Sequence, residues 1–242
     1  APISLSPLLG EGFTGAPGLE LVNDSIAWSV GPELQEVRQP SSATVEFVSV
    51  DKLRGIEVVH SITLDNNSDV LSAHTVLTNL GDSPLGVNFC AAPTFQLPDS
   101  VSKIVSFEGR WSNEFQRQSV DLVLGSFVRE NRKGKTSHDV FPGLLVHNEN
   151  AGEQHGECYG FHLGWSGNNK LRAELLAEGR RYVQMGELLL PGELTLAKGQ
   201  TYQSPSIYGS FSSEGFSALS RNFHHFVKAN LLSQAQREKT RP

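Results

Sequence analysis

Residues 180–232, RRYVQMGELLLPGELTLAKGQTYQSPSIYGSFSSEGFSALSRNFHHFVKANLL, pass from a strand pattern to a helical one. Two short β-prone runs, Glu193–Ala197 and Thr201–Gln203, flank a turn at 198–199, and Ile207–Phe211 is a third. From Ser213 onward, apolar residues recur at steps of three and four, the spacing of one helix face. The pattern predicts strands up to residue 212 and then a helix with Ser213 as its N-cap.

The predicted helix has one apolar face and one polar face. Arg221, His225 and Lys228 fall mostly on the polar side. The apolar positions are Phe216, Leu219, Phe223, Phe226, Val227 and Leu231. After Leu232 the sequence becomes polar and charged, SQAQREKTRP, and we interpret the helix as a connector to another part of a longer protein.

Working outward from this stretch, alternating apolar residues predict antiparallel hairpins over 44–50, 56–64 and 70–80. Residues 156–168 and 171–185 add further strands. The 242 residues include 13 Phe, 23 Gly and 12 Pro but one Met, a balance typical of many strands joined by turns. About 14 or more strands at ordinary strand lengths favour an all-β, two-sheet sandwich over a small barrel.

Charge and hydropathy exclude several partners. The net charge of −6 argues against a broad nucleic-acid surface, and the basic loop Arg129–Lys135 is interpreted as solvated, with nucleic-acid binding as the weaker alternative. No run approaches eighteen apolar residues, so no membrane partner is predicted.

The two cysteines, Cys90 and Cys158, match neither a metal-ligand spacing nor a disulfide framework. On a strand, Cys158 and His162 lie about 13 Å apart, too far to share one zinc ion. The sequence therefore predicts no metal and no cofactor. A reducing compartment, the cytoplasm, is the expected location.

A glycine-rich loop near the start, residues 10–18, carries the letters of a dinucleotide fingerprint, GEGFTG. That fingerprint requires a following helix, and Pro17 and Gly18 stand there instead. Two interpretations remain: a surface turn, or a loop that presents Phe13, and further on Trp28, to a ligand.

No catalytic motif is visible. None of the 26 acidic residues stands in a sequence pattern that marks a catalytic pair, and no G-x-S-x-G motif is present. Residues 107–115 crowd Trp, Arg and Glu at a turn, which suits a sugar-binding or interface surface as well as a structural corner.

Four ordered blocks resemble the N-terminal domain of α-galactosidases of glycoside hydrolase family thirty-six, the raffinose and melibiose type. They are FEGRWSNEF (107–115), RKGKTSH (132–138) with FP (141–142), GFHLGWSGN (160–168) and LPGE (190–193). The final helix resembles the element that leads into that family's catalytic barrel. The resemblance covers essentially the whole chain.

The resemblance implies a β-supersandwich of two large antiparallel sheets over 1–212, followed by a linker helix over 213–242. The (β/α)8 barrel with both catalytic aspartates of a retaining α-galactosidase is expected after Pro242, so no catalytic residue is assigned here. The alternative is a stand-alone carbohydrate-binding or assembly module, which Trp28, Trp111 and Trp165 suggest.

The resemblance also implies a homo-oligomer. In tetrameric family members a loop of this domain reaches a neighbour's active site, and the glycine-rich loop resembles it. Many relatives carry an Asp-Phe pair where this chain has Phe13 and Thr14. Gly12, Phe13, Thr14 and Trp28 are therefore the candidate galactoside-binding residues, with Phe13 expected to stack on a sugar ring.

Overall fold

The computed structural model describes residues 2–23, 26–27, 30–136, 138–233 and 236. The strands in chain order are β1 (Leu19–Asn23), β2 (Ile26–Ala27), β3 (Glu33–Ser41), β4 (Thr44–Asp51), β5 (Ile56–Asp65), β6 (Val70–Asn79), β7 (Leu85–Cys90), β8 (Phe95–Leu97), β9 (Val101–Arg110), β10 (Asn113–Asp121), β11 (Gly125–Asn131), β12 (Gly143–Asn148), β13 (Cys158–Leu163), β14 (Asn169–Leu175), β15 (Arg181–Glu187), β16 (Leu194–Leu196), β17 (Thr201–Gln203) and β18 (Ile207–Ser212). A helix, α1 (Phe216–Phe226), and a π-helical turn (Val227–Leu231) follow.

The strands form two packed layers, which confirms the predicted antiparallel sandwich. One layer is a ten-stranded sheet in the order β10-β9-β12-β13-β18-β6-β5-β4-β3, with β17 also paired to β6. The other consists of two four-stranded sheets, β16-β7-β1-β2 and β11-β14-β15-β8. A bridge between Ala91 and Gly186 joins these smaller sheets.

The core fills the space between the layers in two parts. The larger part packs residues such as Ile104, Leu144 and Ile207 of the ten-stranded sheet against Leu171 and Met185 of β14 and β15. A second cluster packs β5 and β6 against β1, β7 and β16. Alternating strand residues supply both clusters, as the period-two pattern of the sequence predicts.

Two short strands of the opening stretch were expected to flank one turn, and they do, but they join different layers. β16 pairs with β7 in the small sheet, whereas β17 pairs with β6 in the large one. The turn between them therefore crosses from one layer to the other. The sequence pattern alone predicts that such segments are strands, but it does not predict which strands they pair with.

Helix α1 lies on the outer face of the ten-stranded sheet. Leu144 and Val146 point into the main core, so Leu145 between them points outward, where it packs with Cys158, Phe216, Leu219 and Phe223. Gly160 makes this close approach possible. A Cβ there would lie 2.9 Å from the Phe223 ring and 3.2 Å from a Leu219 methyl.

The predicted N-cap, Ser213, is wrong. The helix begins at Phe216, with Gly215 as its cap residue and no side-chain hydrogen bond. The first helical N–H groups are instead satisfied by the preceding loop, because Phe216 N donates to Gly152 O at 3.0 Å and Ser217 N to Glu153 O at 2.9 Å. Gly215 has a φ of 82°, and a Cβ there would lie 2.3 Å from Gly152 O.

The apolar face of the helix is confirmed over its first part. Phe216 and Leu219 are buried, and the ring of Phe226 lies 5.3 Å from that of Tyr208. Val227 and Leu231, in the π-helical turn, are 40% and 60% exposed. The division of the chain into units at residue 212 stays a prediction.

Candidate functional site

The glycine-rich loop is anchored on the turn between β14 and β15. The ring centroids of Phe13 and Tyr182 lie 5.7 Å apart, and Phe13 packs against Tyr182, Ile3 and Leu176. Phe13 is half-buried. Part of its ring surface is thus used inside the domain and the remainder faces solvent.

The neighbours of Phe13 are exposed, and their backbone is held in place. Gly12 has a φ of 72°, and a Cβ there would meet no atom within 4 Å, so this glycine serves the turn conformation rather than a close contact. Thr14 Oγ1 donates to Glu178 Oε2 at 3.3 Å. At Gly15 a Cβ would lie 2.8 Å from both the Phe13 ring and the Tyr182 hydroxyl.

A partly buried hydrogen-bond network below the loop fixes its position. Ala16 N donates to the Tyr182 hydroxyl at 2.9 Å, and that hydroxyl donates to the carboxylate of Glu174. Arg172 Nη1 lies 3.5 Å from the same carboxylate. Burial, followed by the hydrogen bond to Glu174, raises the pKa of Tyr182 above its ordinary value, so the hydroxyl stays a donor at neutral pH.

We expect Tyr182→Phe to lower the free energy of unfolding by about 1 to 3 kcal/mol, because it removes the hydroxyl and leaves buried partners without it. It should also speed proteolytic cleavage within residues 10–15. The matched control is Tyr208→Phe, which keeps the ring contact with Phe226. Urea unfolding and limited proteolysis measure both effects; equal stability and equal cleavage for the two variants would contradict the anchoring role.

Of the four candidate galactoside-binding residues, the structure brings Gly12, Phe13 and Thr14 together on one loop. Trp28 lies outside the described residues. Any sugar-binding role for these residues stays a prediction.

The four sequence blocks converge at the other end of the sheets, a feature that sequence reasoning missed. Three of them meet in an aromatic cluster around Phe141. The ring centroid of Phe141 lies 5.9 Å from that of Phe107, 5.4 Å from that of Phe115 and 5.2 Å from that of His162. This end and the glycine-rich loop lie at opposite ends of β14, about 20 Å apart along seven residues.

The loop that follows β11 lies over the loop between β13 and β14. Gly134 N donates to Asn168 Oδ1 at 2.8 Å, and Thr136 N donates to Ser166 O. The fourth block reaches the same region, since Pro191 lines a pocket of about 310 Å³ together with Arg132 and Lys170. Segments separated by about 60 residues, from Arg132 to Pro191, therefore lie together at this end of the sheets.

The basic residues of this surface are largely neutralised. Arg129 Nη1 lies 2.6 Å from Glu108, Arg132 lies 2.7 Å from Glu130, and Lys133 pairs with Asp139. Paired charges of this kind produce a weak net potential, which agrees with the interpretation of a solvated loop.

A groove of about 630 Å³ runs between α1 and the edge of the ten-stranded sheet. Its lining includes Phe107, Leu145, Leu219 and Phe223 and one carboxylate, Glu153, which is paired with Arg117 at 3.5 Å. A retaining glycosidase needs two carboxyl groups about 5 to 5.5 Å apart. The described lining of this groove does not provide that pair.

A pair of carboxylates that share one lysine lies outside this groove. Asp121 and Glu149 both bind Lys103 Nζ, and each side chain is about two-thirds exposed. Both carboxylates are thus held as salt-bridge partners in open solvent, where neither has the apolar surroundings of a general acid.

The described residues contain neither a metal-binding group nor a membrane-spanning helix. Their His, Cys, Asp and Glu side chains form no group of three able to hold a metal ion. None of their helices has the length and apolarity needed to cross a bilayer.

Comparison with known proteins places the chain in a family. A model of the Glycosyl hydrolase family 36 N-terminal domain matches residues 3–197. The alpha-galactosidase of Escherichia coli is 34% identical over 241 residues, which are 100% of this chain and 34% of that protein. Alpha-galactosidase AgaA of Geobacillus stearothermophilus is 28% identical over 206 residues, 84% of this chain and 28% of that protein.

Solved structures agree with these matches. An AgaA variant from Geobacillus stearothermophilus in complex with raffinose has a TM-score of 0.89 at 25% identity and covers 98% of this chain and 36% of that one. The chain thus spans about a third of the length of these relatives. Its sequence and its two-layered sheet structure show that it belongs to the N-terminal domain family of glycosyl hydrolase family 36.

Proposed function

We propose that this chain is the non-catalytic N-terminal domain of a retaining α-galactosidase, here called the parent. The observation that carries the proposal is the 34% identity, over 241 residues, with the alpha-galactosidase of Escherichia coli. The parent hydrolyses terminal α-galactosides through a glycosyl-enzyme intermediate. Its two catalytic aspartates lie in a (β/α)8 barrel that follows this domain.

The acidic residues on the described surfaces favour a structural role for this domain over a catalytic one. The groove beside α1 has a single carboxylate, already paired with Arg117, and Asp121 and Glu149 are exposed salt-bridge partners of Lys103. Neither arrangement provides a nucleophile facing a protonated acid.

The proposal is tested on the parent, expressed from the coding sequence that continues beyond residue 242. Proton NMR of raffinose hydrolysis should show α-galactose as the first product, because double displacement retains the anomeric configuration. β-Galactose as the first product would refute the retaining mechanism. No hydrolysis of any α-galactoside would refute the activity itself.

We also propose that the parent is a homo-oligomer in which Gly12, Phe13, Thr14 and Trp28 approach galactoside bound by a neighbouring subunit. The exposure of Gly12 and Thr14 and the anchoring of their loop on Tyr182 support a rigid, accessible loop. Analytical ultracentrifugation of the parent at assay concentration tests this assembly, and a monomer would contradict it.

A second candidate function, a stand-alone carbohydrate-binding module, is favoured by one observation: Trp111 is 81% exposed at the tip of the β9–β10 hairpin. Exposed aromatic rings are common sugar-binding and interface groups. Calorimetric titration of the chain with galactose and raffinose separates the two functions. Measurable heat that Trp111→Ala abolishes favours the module, and no heat favours the supporting domain.

We propose a cytoplasmic location. Cys90 and Cys158 are both free and buried, so neither depends on an oxidising compartment for a disulfide. Cell fractionation with antibody detection of the parent provides the test, and recovery in the medium would contradict this location.

A further inference from the structure

The groove beside α1 continues into exposed aromatic surface. Phe107 lines the groove and its ring lies 6.5 Å from that of Phe115, which is 60% exposed. Trp111, 81% exposed, stands at the tip of the same hairpin. We call this continuous surface, from Trp111 and Phe115 through Phe107 to Phe223, the hairpin–helix face.

The hairpin that carries these aromatic residues is held in an unfavourable backbone conformation. Ser112 and Phe115 have φ values of 65° and 53°, a region that costs a non-glycine residue about 1 to 3 kcal/mol. The β9–β10 register shifts between Asn113 and Gln116, so a bulge redirects the side chains here. The resulting conformation places large apolar side chains in solvent, where they gain nothing from burial.

The groove side of this face carries two arginines, Arg117 and Arg221, and one carboxylate, Glu153, which leaves one positive charge. Arg221 is exposed and forms no salt bridge with another residue that the structure describes; it also lines an adjoining pocket together with Glu153 and Glu214. Arg117 is paired with Glu153 and lies over the Phe216 ring at 4.9 Å. An occupant of the groove is therefore expected to combine apolar side chains with at least one carboxylate.

We propose that the hairpin–helix face is the docking surface for the polypeptide that follows this domain in the parent. This inference rests on the proposed function, in which that polypeptide is the catalytic barrel. It assigns the contact to particular residues. Trp111 and Phe115 are the aromatic residues that the following polypeptide would pack against, and the groove between them and α1 is where it would bind.

Two observations identify this occupant. The chain spans about a third of the length of its relatives, so most of the parent's polypeptide has to pack somewhere against or beyond this domain. Helix α1 lies along the same face through Phe216, Leu219 and Phe223, and the π-helical turn that follows it reaches the β5–β6 turn, where Asn230 Nδ2 donates to Asp65 Oδ2 at 2.6 Å. Polypeptide that continues from this turn begins about 12 Å beyond the groove-lining His224, and this tether gives it a high effective concentration at the face.

The test measures thiol accessibility in the parent. Trp111→Cys and Ser220→Cys place thiols on the hairpin tip and on the groove side of α1, and Leu53→Cys places a control thiol at a turn where Leu53 is 88% exposed. We expect maleimide to label both face variants at least about tenfold more slowly than the control. The native thiols give little background, because burial raises the pKa of Cys90 to about 12 and of Cys158 to about 11. The unsubstituted parent provides the blank.

Any other occupant of the hairpin–helix face would give a different labelling result, and each of these results would overturn the proposal. Labelling at the control rate means that the face is open. Protection that disappears on dilution to the monomer indicates a second copy, and protection that requires added galactose or raffinose indicates a sugar site. Circular dichroism checks that each variant folds. Galactoside hydrolysis is assayed on the same samples: protection without hydrolysis would refute the proposed activity and leave the docking surface intact, whereas hydrolysis without protection would do the reverse.

Discussion

Leu171→Ala is expected to lower the free energy of unfolding by about 2 to 5 kcal/mol. Leu171 is 1% exposed and lies on β14 in the main core, where it packs between the two layers. Truncation removes buried methyl groups and leaves a cavity that rigid strands on both sides cannot close. Urea unfolding followed by tryptophan fluorescence measures the change.

The control is the same substitution at an exposed position. Leu53→Ala, at a side chain 88% exposed, should change stability by no more than about 0.5 kcal/mol. A loss below about 1 kcal/mol at Leu171 would contradict the placement of the core between β14 and the ten-stranded sheet.

Acid should destabilise the domain through His60. This residue is 6% exposed, its Nδ1 lies 3.1 Å from Thr75 Oγ1, and burial lowers its pKa from 6.5 to about 4. The unfolded chain therefore binds a proton below pH 6.5 while the folded chain does not until about pH 4. The contribution of His60 to stability is complete well above pH 6.5, and about 2 to 3 kcal/mol of it is lost between about pH 7 and pH 4.5.

The measurement compares variants because other groups titrate in the same range. Burial also lowers the pKa of His162 and His74, so the wild-type loss contains their contributions. His60→Gln should lose about 2 to 3 kcal/mol less than the wild type between the two pH values, whereas His225→Gln, on the exposed side of α1, should match the wild type. Parallel losses in all three proteins would show that His60 is not buried in its neutral form.

Local pattern predicted the strands well because each carries its own signal. The alternation over 44–50, 56–64 and 70–80 appears as β4, β5 and β6, and the hairpin of 171–185 appears as β14 and β15. The partner of a strand depends on residues far away in sequence. That is why β16 and β17, only a few residues apart, could be found as strands without showing that they belong to different layers.

The start of helix α1 also depends on residues far away in sequence, so local pattern did not identify its N-cap. Ser213 fits the statistics of an N-cap, but carbonyl groups of the 152–153 loop satisfy the first helical N–H groups, and only glycine fits at 215. A partner about 60 residues away in sequence decided the cap. Gly160, which admits the helix to the sheet, likewise looks like an ordinary glycine until Phe223 and Leu219 lie over it.

The candidate site was predicted in part. The sequence identified the glycine-rich loop, and the structure groups Gly12, Phe13 and Thr14 there, but the anchoring of Phe13 on Tyr182 depends on a strand about 170 residues later. The family blocks were each recognised, yet their meeting around Phe141 was not predicted. A signal was available, since three of the four blocks place aromatic or basic residues at a strand end, where segments of one sheet edge converge.

The most direct test of the central claim compares the purified chain with the parent in hydrolysis of nitrophenyl α-galactoside at equal molar concentration. If this domain supports an active site built elsewhere, the chain releases nitrophenol no faster than buffer while the parent turns over. Release by the chain alone, abolished by unfolding it in urea, would contradict the account, because it would place the catalytic carboxylates within these 242 residues.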